Sequence, residues 1–570
     1  MIRKWTRAQH DRLIDTARGV LAPTALIPEA QVLHVATGTV SRKNIWLCGD
    51  RIAYVGPDRP SDSAQTMIYT IRPDQVIVPG YIEPHAHPFQ LYNPFTLGEF
   101  FTREGTAISI NDNRMLAQHL SPEAQKTFIR ELDETGGHLW LWWAYFEEHD
   151  PVKNDVLADW LAQPLVVQGG ELSNWLAMRS GSADLYAKLC TVRRSGKRME
   201  GHLPGSSANT LNLFAAAGIT ADHESMSADD VLKRLDLGYV AALRYSSIRP
   251  DLPKLIRALS RYPDLDRSRL MLTSDGASLP FLLQATPADL IQLAMKNGFS
   301  TTDAYRMATI NPALYYHFDD AAGSVSPGRL AHLNVLDSLQ DPHPADVLFS
   351  GKWIRRQGRS FPPPEDFSDR LNHYLGNRRF ALPSAPPNLR ETTTIGIDLV
   401  NNVITRPYTF SAEAPLSDHE CRLIYLCPAS KEYLSTRIRG FAVRLNALVS
   451  TYSVSGGIVL IGKNPAALNA AWKKLSAGFR GIAAESGDGS EAEIALDLLG
   501  MMSTKNIDKL AEEAATFTQN LQKDGFPYND PYFCLLFLTV SVLPFIRLTP
   551  AGLIDVKTDH VLAPTRQLPF

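Results

Sequence analysis

Between residues 79 and 322 the sequence alternates short apolar segments with longer stretches of helical pattern, and this alternation constrains the fold more than any other feature. The apolar segments include TAISI, LVVQG, GYVAAL and RLMLTS, which have the length and composition of buried β-strands. Strands that alternate with helices build βα units around a parallel sheet. About 240 residues of this pattern fit a (β/α)8 barrel better than a smaller doubly wound sheet. We therefore predict an α/β protein with a TIM barrel at its centre.

The segments on either side of the barrel follow a different pattern. Residues 1–78 open with a charged, helical stretch and continue as short alternating strands separated by Gly and Asp turns, which predicts a small β domain. Residues 323–362 return to the same pattern, as expected if the chain comes back to complete that domain. Residues 363–390 are rich in Pro and Arg and predict a linker, and residues 391–570 predict a separate C-terminal α/β domain.

The composition argues against several classes of function. A formal net charge of −3 gives the chain no general attraction to nucleic acid or to an anionic membrane surface. The five cysteines are scattered without a CxxC pair, so the sequence predicts neither a disulfide framework nor a thiolate zinc site. The N-terminal sequence has no apolar core of signal-peptide length, and no segment offers about 18 uncharged apolar residues. We expect a cytoplasmic homo-oligomer that acts on a small molecule, with neither nucleic acid nor membrane as a partner.

A pair of histidines closes the first strand of the predicted barrel. The segment VIVPGYIE leads directly to His85 and His87, and alternate residues of an extended strand face the same side. Imidazole nitrogens suit Zn, Mn or Fe, and ligands of this kind belong at the C-terminal end of a barrel strand. On its own the pair has a plain alternative, namely two polar residues at a strand end.

Four later apolar segments end in residues of the same chemical kind. Glu171 closes LVVQGGEL, His202 lies in GHLPG, His223 in ITADHES and Asp275 in LMLTSDGAS. One such residue is usually a helix cap or a satisfied hydrogen-bonding group, but six in order along one barrel predict a metal centre. Four histidines and two carboxylates exceed what one tetrahedral ion requires, so we predict a pair of divalent ions bridged by Glu171 and a hydroxide.

Six segments spread over nearly the whole chain carry a resemblance to a known family. They are VPGYIEPHAH, GGELSNW, EGHLPGSSANTLNLFAAAGITADHES, MATINPA, PGRLAHLNVLD and LTPAGLIDV. With these segments the chain resembles the adenine deaminases of the amidohydrolase superfamily. The resemblance implies a barrel, a small β-sandwich shared by both flanks of the barrel, and an extra C-terminal domain. It also implies that Asp275 matches the strand-eight acid that binds metal and moves protons, and that the family's other metal ligands match His85, His87, Glu171, His202 and His223.

The resemblance further implies a hydrolase that converts adenine and water to hypoxanthine and ammonia. Hydroxide held by two divalent ions, Mn²⁺ or Fe²⁺ with Zn²⁺ as an alternative, attacks C6 of the purine, and Asp275 passes the proton to the departing amine. Glu224 either donates a proton to a ring nitrogen or forms a structural ion pair. Phe89, Tyr92 and Trp175 either stack on the base or pack in the core.

Three departures from the family pattern bear on the substrate. Pro88, Phe89, Gln90, Leu91 and Tyr92 follow the HxH pair where typical members have an Ile-Glu-Ser-Ser run. The segments 111–114 and 276–278 replace an Asp-Pro-His-Glu motif and an Asp-Arg-His-Pro motif. The pattern is that of a divergent branch of the family, so hydrolysis of another aminated heterocycle, cyclic amide or lactam stays open. A non-catalytic binding protein that kept the fold is a weaker alternative, because all six ligand positions are present.

Overall fold

The structure is a computed structural model of the 570-residue chain. It describes residues 5–61, 64–147, 152–362, 365–377, 382, 390–541, 543 and 545–568. The chain packs into two compact units. The first consists of Met1–Pro88, Leu97–Ala277 and Gln284–Phe367, and the second of Phe89–Thr96, Ser278–Leu283 and Ser368–Phe570. The predicted domain boundaries stay a prediction, since much of the predicted linker, residues 363–390, lies outside the described residues.

The first unit begins with a helix and the strands of a mixed β-sheet. Helix α1 (Arg7–Ala17) starts at a capping box in which Thr6 and Gln9 exchange hydrogen bonds. The strands that follow it are β1 (Ala25–His34), β2 (Thr39–Cys48), β3 (Arg51–Gly56), β4 (Met67–Ile68) and β5 (Val76–Pro79). β1 pairs antiparallel with β2 and parallel with β5, so β5 leads the chain from this sheet toward the barrel.

The barrel contains eight strands in chain order, each parallel to the next. They are β6 (Tyr81–Ala86), β7 (Thr106–Asn111), β8 (Leu139–Ala144), β9 (Val166–Leu172), β10 (Arg198–Gly201), β11 (Ala221–Asp222), β12 (Val240–Arg244) and β13 (Leu270–Thr273). Nearly every residue of these strands is buried, which is the pattern of parallel strands covered by helices. The predicted TIM barrel is confirmed.

Helices alternate with the barrel strands and cover them. They are α2 (Pro94–Arg103), α3 (Arg114–His119), α4 (Pro122–Glu134), α5 (Asn154–Leu161), α6 (Trp175–Ser180), α7 (Ala183–Arg194), α8 (Ala208–Ala217), α9 (Ala228–Asp236), α10 (Leu252–Leu259), α11 (Pro287–Lys296), α12 (Thr301–Met307) and α13 (Ile310–Tyr315). Several begin at a serine whose hydroxyl accepts a hydrogen bond from a backbone N–H of the first turn, as Ser182, Ser207 and Ser227 do. At these three helices the local sequence thus fixes where the helix starts.

After the barrel the chain returns to the first sheet. The returning strands are β14 (Leu333–Leu336), β15 (Asp346–Phe349), β16 (Lys352–Arg356) and β17 (Arg359–Ser360). β14 pairs antiparallel with β5, so both flanks of the barrel build one sheet, which has nine strands among the residues described. Its core includes Ile27, Ile45, Ile77, Leu333 and Leu348.

The described part of the second unit is built on another nine-stranded sheet and a three-stranded sheet. Its strands are β18 (Ile395–Leu399), β19 (Thr405–Thr409), β20 (Glu420–Cys427), β21 (Glu432–Arg439), β22 (Ala447–Ser450), β23 (Ile458–Gly462), β24 (Gly481–Glu485), β25 (Glu491–Ala495), β26 (Ile546–Thr549), β27 (Gly552–Asp555), β28 (His560–Pro564) and β29 (Arg566–Gln567). Its helices are α14 (Ser368–Leu375), α15 (Pro465–Ser476), α16 (Ile507–Lys523) and α17 (Pro531–Phe537). Within the described residues, no helix combines the length and the apolar composition needed to cross a bilayer.

Candidate metal centre

The six predicted metal-binding residues lie at the C-terminal ends of five barrel strands. They lie in or shortly after β6 (His85, His87), β9 (Glu171), β10 (His202), β11 (His223) and β13 (Asp275). Because parallel strands present their carboxyl ends at one rim of the barrel, side chains from distant parts of the sequence converge there. Each is buried or partly buried.

One half of the centre contains the two histidines of the first strand. The Nε2 atoms of His85 and His87 are 3.2 Å apart. Oδ1 of Asp275 lies 3.2 Å from each of these two nitrogens. Oε2 of Glu171 lies 3.8 Å from each of them. Three nitrogen and oxygen donors, with a fourth slightly farther away, therefore point at one small volume.

The other half contains the histidines that follow the fifth and sixth strands. Nδ1 of His202 and Nε2 of His223 are 3.3 Å apart. Oε1 of Glu171 lies 2.7 Å from the former and 3.4 Å from the latter. Glu171 thus turns one carboxylate oxygen toward each half, which is the arrangement of a bridging ligand.

The chemistry of these donors fits two divalent cations. The ligand atoms form three overlapping groups, each with its atoms within 4.8 Å of one another, and imidazole with carboxylate is a donor set for Zn, Mn or Fe. Burial would lower the pKa of His223, but Asp275, Glu171 and Glu200 outweigh burial and raise that pKa well above its ordinary value. Burial would raise the pKa of Glu171, but His202 and His223 hold that pKa well below its ordinary value. The carboxylates are therefore anions that favour positive charge at the positions between them.

Comparison with known proteins decides the family. The amidohydrolase family matches residues 157–354, and the adenine deaminase C-terminal domain matches residues 418–560. A protein of Halalkalibacterium halodurans named "Putative adenine deaminase" is 37% identical over 99% of this chain and 98% of its own length. The chain belongs to the adenine deaminase family. A protein of Oceanobacillus iheyensis with the same kind of name is 36% identical over 98% of this chain and 97% of its own. The adenine deaminase of Lactiplantibacillus plantarum is 27% identical over 94% and 96% of the two chains. As a member of this family, the chain is a hydrolase that acts on carbon–nitrogen bonds.

Two carboxylates that the sequence analysis did not assign contact the candidate ligand histidines of this adenine deaminase family member. Glu200 in β10 accepts hydrogen bonds from Nδ1 of His85 and Nδ1 of His223, both at 3.0 Å. Asp112, which follows β7, lies with Oδ2 3.2 Å from Nδ1 of His87. Carboxylates in this position orient a ligand imidazole and raise its basicity. The sequence offered one indication of Glu200. It is an acid within a short strand that is buried, and a buried acid needs a partner.

Glu224 is held between two arginines. Nη1 of Arg244 contacts Oε1 of Glu224, and Nη1 of Arg249 lies 2.8 Å from Oε2. Burial would raise the pKa of Glu224, but Arg244, His202 and other neighbouring cations lower it. With both oxygens in ion pairs, this geometry favours the structural ion pair over proton donation to a substrate.

Arg244 also contacts Asp275, and the sequence analysis did not identify it. Its Nη1 lies 2.7 Å from Oδ2 of Asp275, while Oδ1 of the same carboxylate faces His85 and His87. Burial would raise the pKa of Asp275, but Arg244 and His223 hold it well below its ordinary value. Arg244 therefore fixes which oxygen of Asp275 faces the centre.

The three aromatic residues predicted to bind substrate have different surroundings. Phe89 and Tyr92 are buried and belong to the second unit, which favours core packing for both. Trp175 begins α6, four residues after Glu171, and 42% of its surface is exposed. Of the three, Trp175 alone keeps an accessible ring.

Proposed function

We propose that this chain is a metal-dependent deaminase that converts adenine and water to hypoxanthine and ammonia. The observation that carries the proposal is the carboxylate of Glu171, which places one oxygen with His85 and His87 and the other with His202 and His223. A carboxylate shared in this way between two sets of imidazoles supports a centre of two cations. The full-length similarity to relatives with adenine deaminase names supports the reaction.

The cofactor in this proposal is a pair of divalent ions, Mn²⁺ or Fe²⁺, with Zn²⁺ as an alternative. His85, His87 and Asp275 would hold one ion, His202 and His223 the other, and Glu171 would contact both. The chemistry that such ions supply is a lowering of the pKa of water from 15.7 toward roughly 7, so that hydroxide is available at neutral pH.

Asp275 carries the proton in this reaction. Attack by hydroxide forms a C6–O bond on the purine, ring N1 takes up the proton that water lost when it became hydroxide, and the C6–N bond of the exocyclic amine then breaks. Oδ1 of Asp275 faces the two histidines of the first strand, where it can take the proton of the attacking oxygen and deliver it to the departing amine. Arg244 keeps the other oxygen occupied, so the carboxylate cannot rotate away from the centre without losing an ion pair.

A second candidate is hydrolysis of another aminated heterocycle, cyclic amide or lactam. It is favoured by the segments 88–92, 111–114 and 276–278, which depart from the family's motifs directly beside the metal centre. Asp112 is directed at His87 within one of these segments. Changed residues beside an unchanged ligand set alter the fit of a substrate more readily than they alter the chemistry.

Ammonia release tests the deamination of adenine and of other aminated rings, and chromatography of the remaining substrate tests the ring opening of cyclic amides and lactams, which releases no ammonia. The metal-free chain is loaded separately with Mn²⁺, Fe²⁺ or Zn²⁺ and incubated with adenine and with a panel of aminated heterocycles, cyclic amides and lactams. We expect adenine to yield hypoxanthine and ammonia with at least one ion. His202→Ala should abolish turnover, whereas His560→Ala, at an exposed position of the second unit, should not change it. If the protein hydrolyses a different ring and not adenine, that ring replaces adenine as the proposed substrate. The absence of hydrolysis with every ion would contradict the proposal.

A further inference from the structure

A single buried carboxylate connects the two halves of the metal centre. Glu200 lies in β10 and is 1% exposed. Its Oε2 accepts a hydrogen bond from Nδ1 of His85, and its Oε1 accepts one from Nδ1 of His223, both at 3.0 Å. Nε2 of Gln168 donates to the same Oε2 at 2.9 Å. Each oxygen therefore has its own imidazole.

The two imidazoles belong to different halves of the centre. Nε2 of His85 faces His87 and Asp275, whereas Nε2 of His223 faces His202 and Glu171. An imidazole whose Nδ1–H donates to a carboxylate carries its free lone pair on Nε2, the atom that binds a cation. One side chain thus sets the tautomer and ring orientation of a ligand in each half.

We propose that Glu200 is a positioning residue that couples the two ion sites, by preparing His85 for one ion and His223 for the other. The inference rests on the two-ion centre of the proposed function. Glu171 is the other carboxylate shared by the two halves, but it cannot have this role. It faces the Nε2 atoms of His85 and His223, whereas Glu200 holds their Nδ1 atoms.

Replacement of Glu200 by glutamine separates this role from simple packing. The amide has nearly the same shape but only one oxygen, so it can accept a hydrogen bond from only one of the two imidazoles. The other imidazole meets an NH₂ group, must accept at Nδ1, and then carries its proton on Nε2, where it cannot bind a cation. Because Gln168 donates to the Oε2 position, we expect the oxygen to stay beside His85 and the NH₂ group to face His223.

Titration of the metal-free full chain with Mn²⁺ tests the inference. Ions per chain and stepwise affinities are measured together with the electron paramagnetic resonance spectrum. We expect the wild type to bind two ions and to show a magnetically coupled pair. Glu200→Gln should keep one site and weaken the other by 10- to 100-fold, a usual effect of losing an outer-shell partner, and its spectrum should be that of isolated ions.

Gln168→Leu is the matched control, since it perturbs the same buried layer but leaves Glu200 with both imidazole contacts. It should bind two coupled ions. If Glu200→Gln does not fold, Glu200→Asp keeps both oxygens on a shorter side chain and should weaken both ions together.

Three results would overturn the inference: wild-type affinities for both ions in Glu200→Gln, wild-type affinities in Glu200→Asp, or equal loss of both ions in Gln168→Leu. A wild-type chain that binds no ion would contradict the proposed function itself, and that outcome is distinct from the other three.

Discussion

At the scale of single residues, the backbone at Asp275 fits a ligand better than a helix cap. Its φ is 52°, in the left-handed region that residues other than glycine rarely adopt. Its N–H donates to Oγ1 of Thr273 at 3.0 Å, and the next helical turn begins only at Phe281. The turn directs the carboxylate to His85 and His87, as a ligand or proton carrier requires.

Asp275→Asn should separate metal binding from chemistry. An amide oxygen can still contact a cation but cannot take up a proton, so we expect much of the metal to stay bound and the rate to fall on the order of 10²- to 10⁴-fold. Ammonia release and metal content are measured on the same sample, with Asp264→Asn, at an exposed loop position, as the control. Near-normal turnover of Asp275→Asn would remove this residue from the mechanism.

Glu171→Gln should lower the number of ions bound. Glu171 places one oxygen in each half of the centre, and a neutral amide lacks the charge that bridges two cations. We expect metal analysis to find one to two divalent ions per chain in wild-type protein prepared without chelator, and a weakened second ion in the variant. The same number of ions in both proteins would indicate a single-ion site.

At the scale of elements, a side chain closes the barrel. Within the described residues, no ladder of backbone hydrogen bonds pairs β13 with β6, although the two strands lie side by side. Glu83, in β6, spans the gap. It accepts hydrogen bonds from the hydroxyls of Thr273 and Ser274 at 2.6 and 2.9 Å, and from the N–H of Ser274 at 3.0 Å. This contact fixes the chain one residue before Asp275.

Loss of the Glu83 carboxylate should therefore destabilise the barrel where β13 lies beside β6. Glu83→Ala leaves several buried donors without this acceptor, and each such group costs about 1–3 kcal/mol. We expect the free energy of unfolding of the metal-free protein to fall on the order of 3 kcal/mol, measured by urea titration. Glu83→Asp, which keeps a carboxylate, should recover part of the loss. An unchanged unfolding midpoint in Glu83→Ala would contradict a closing role.

Some of these elements could be predicted from the sequence and others could not. The runs TAISI, LVVQG, GYVAAL and RLMLTS became the strands β7, β9, β12 and β13, because a short run made mostly of apolar residues is typical of a buried strand. The bounds of β10 and β11 could not be predicted in this way, because two of the four residues of β10 (RMEG) are charged and β11 has only two residues.

The candidate ligand histidines and acids could be predicted because each lies in or shortly after a strand, whereas their supporting contacts could not. Glu200 lies 115 residues from His85 in sequence, and one chain carries no record of which buried acid meets which imidazole. Arg244 was hidden for the same reason, since its partners Glu224 and Asp275 come from other strands. Convergence of this kind depends on strand register, which the sequence alone does not specify.

At the scale of the whole molecule, the second unit includes two short segments that follow candidate metal-binding residues. Phe89–Thr96 begins two residues after His87, and Ser278–Leu283 begins three residues after Asp275. Within that unit, Nδ2 of Asn93 donates to the carbonyl of Ser503 at 2.8 Å, and the hydroxyl of Ser278 contacts Asp530. Two of the three departures from the family's motifs reach into these segments, so their sequences also serve packing within the second unit.

Removal of residues 368–570 should consequently damage the metal centre as well as the second unit. Leu91 and Tyr92 are buried, and the N–H of Ser503 donates to the carbonyl of Leu91 at 2.7 Å. A chain that ends at Phe367 keeps the segments after His87 and Asp275 but loses the partners that bury them, and exposed apolar residues of this kind promote aggregation.

We expect little soluble protein and, in what is soluble, fewer bound ions than in the full chain, measured by size-exclusion chromatography and metal analysis. Supplying residues 368–570 as a separate chain during expression should restore part of the yield, because it restores the partner of Leu91. A soluble truncated chain with the full number of ions would show that the two segments hold their conformation without the second unit.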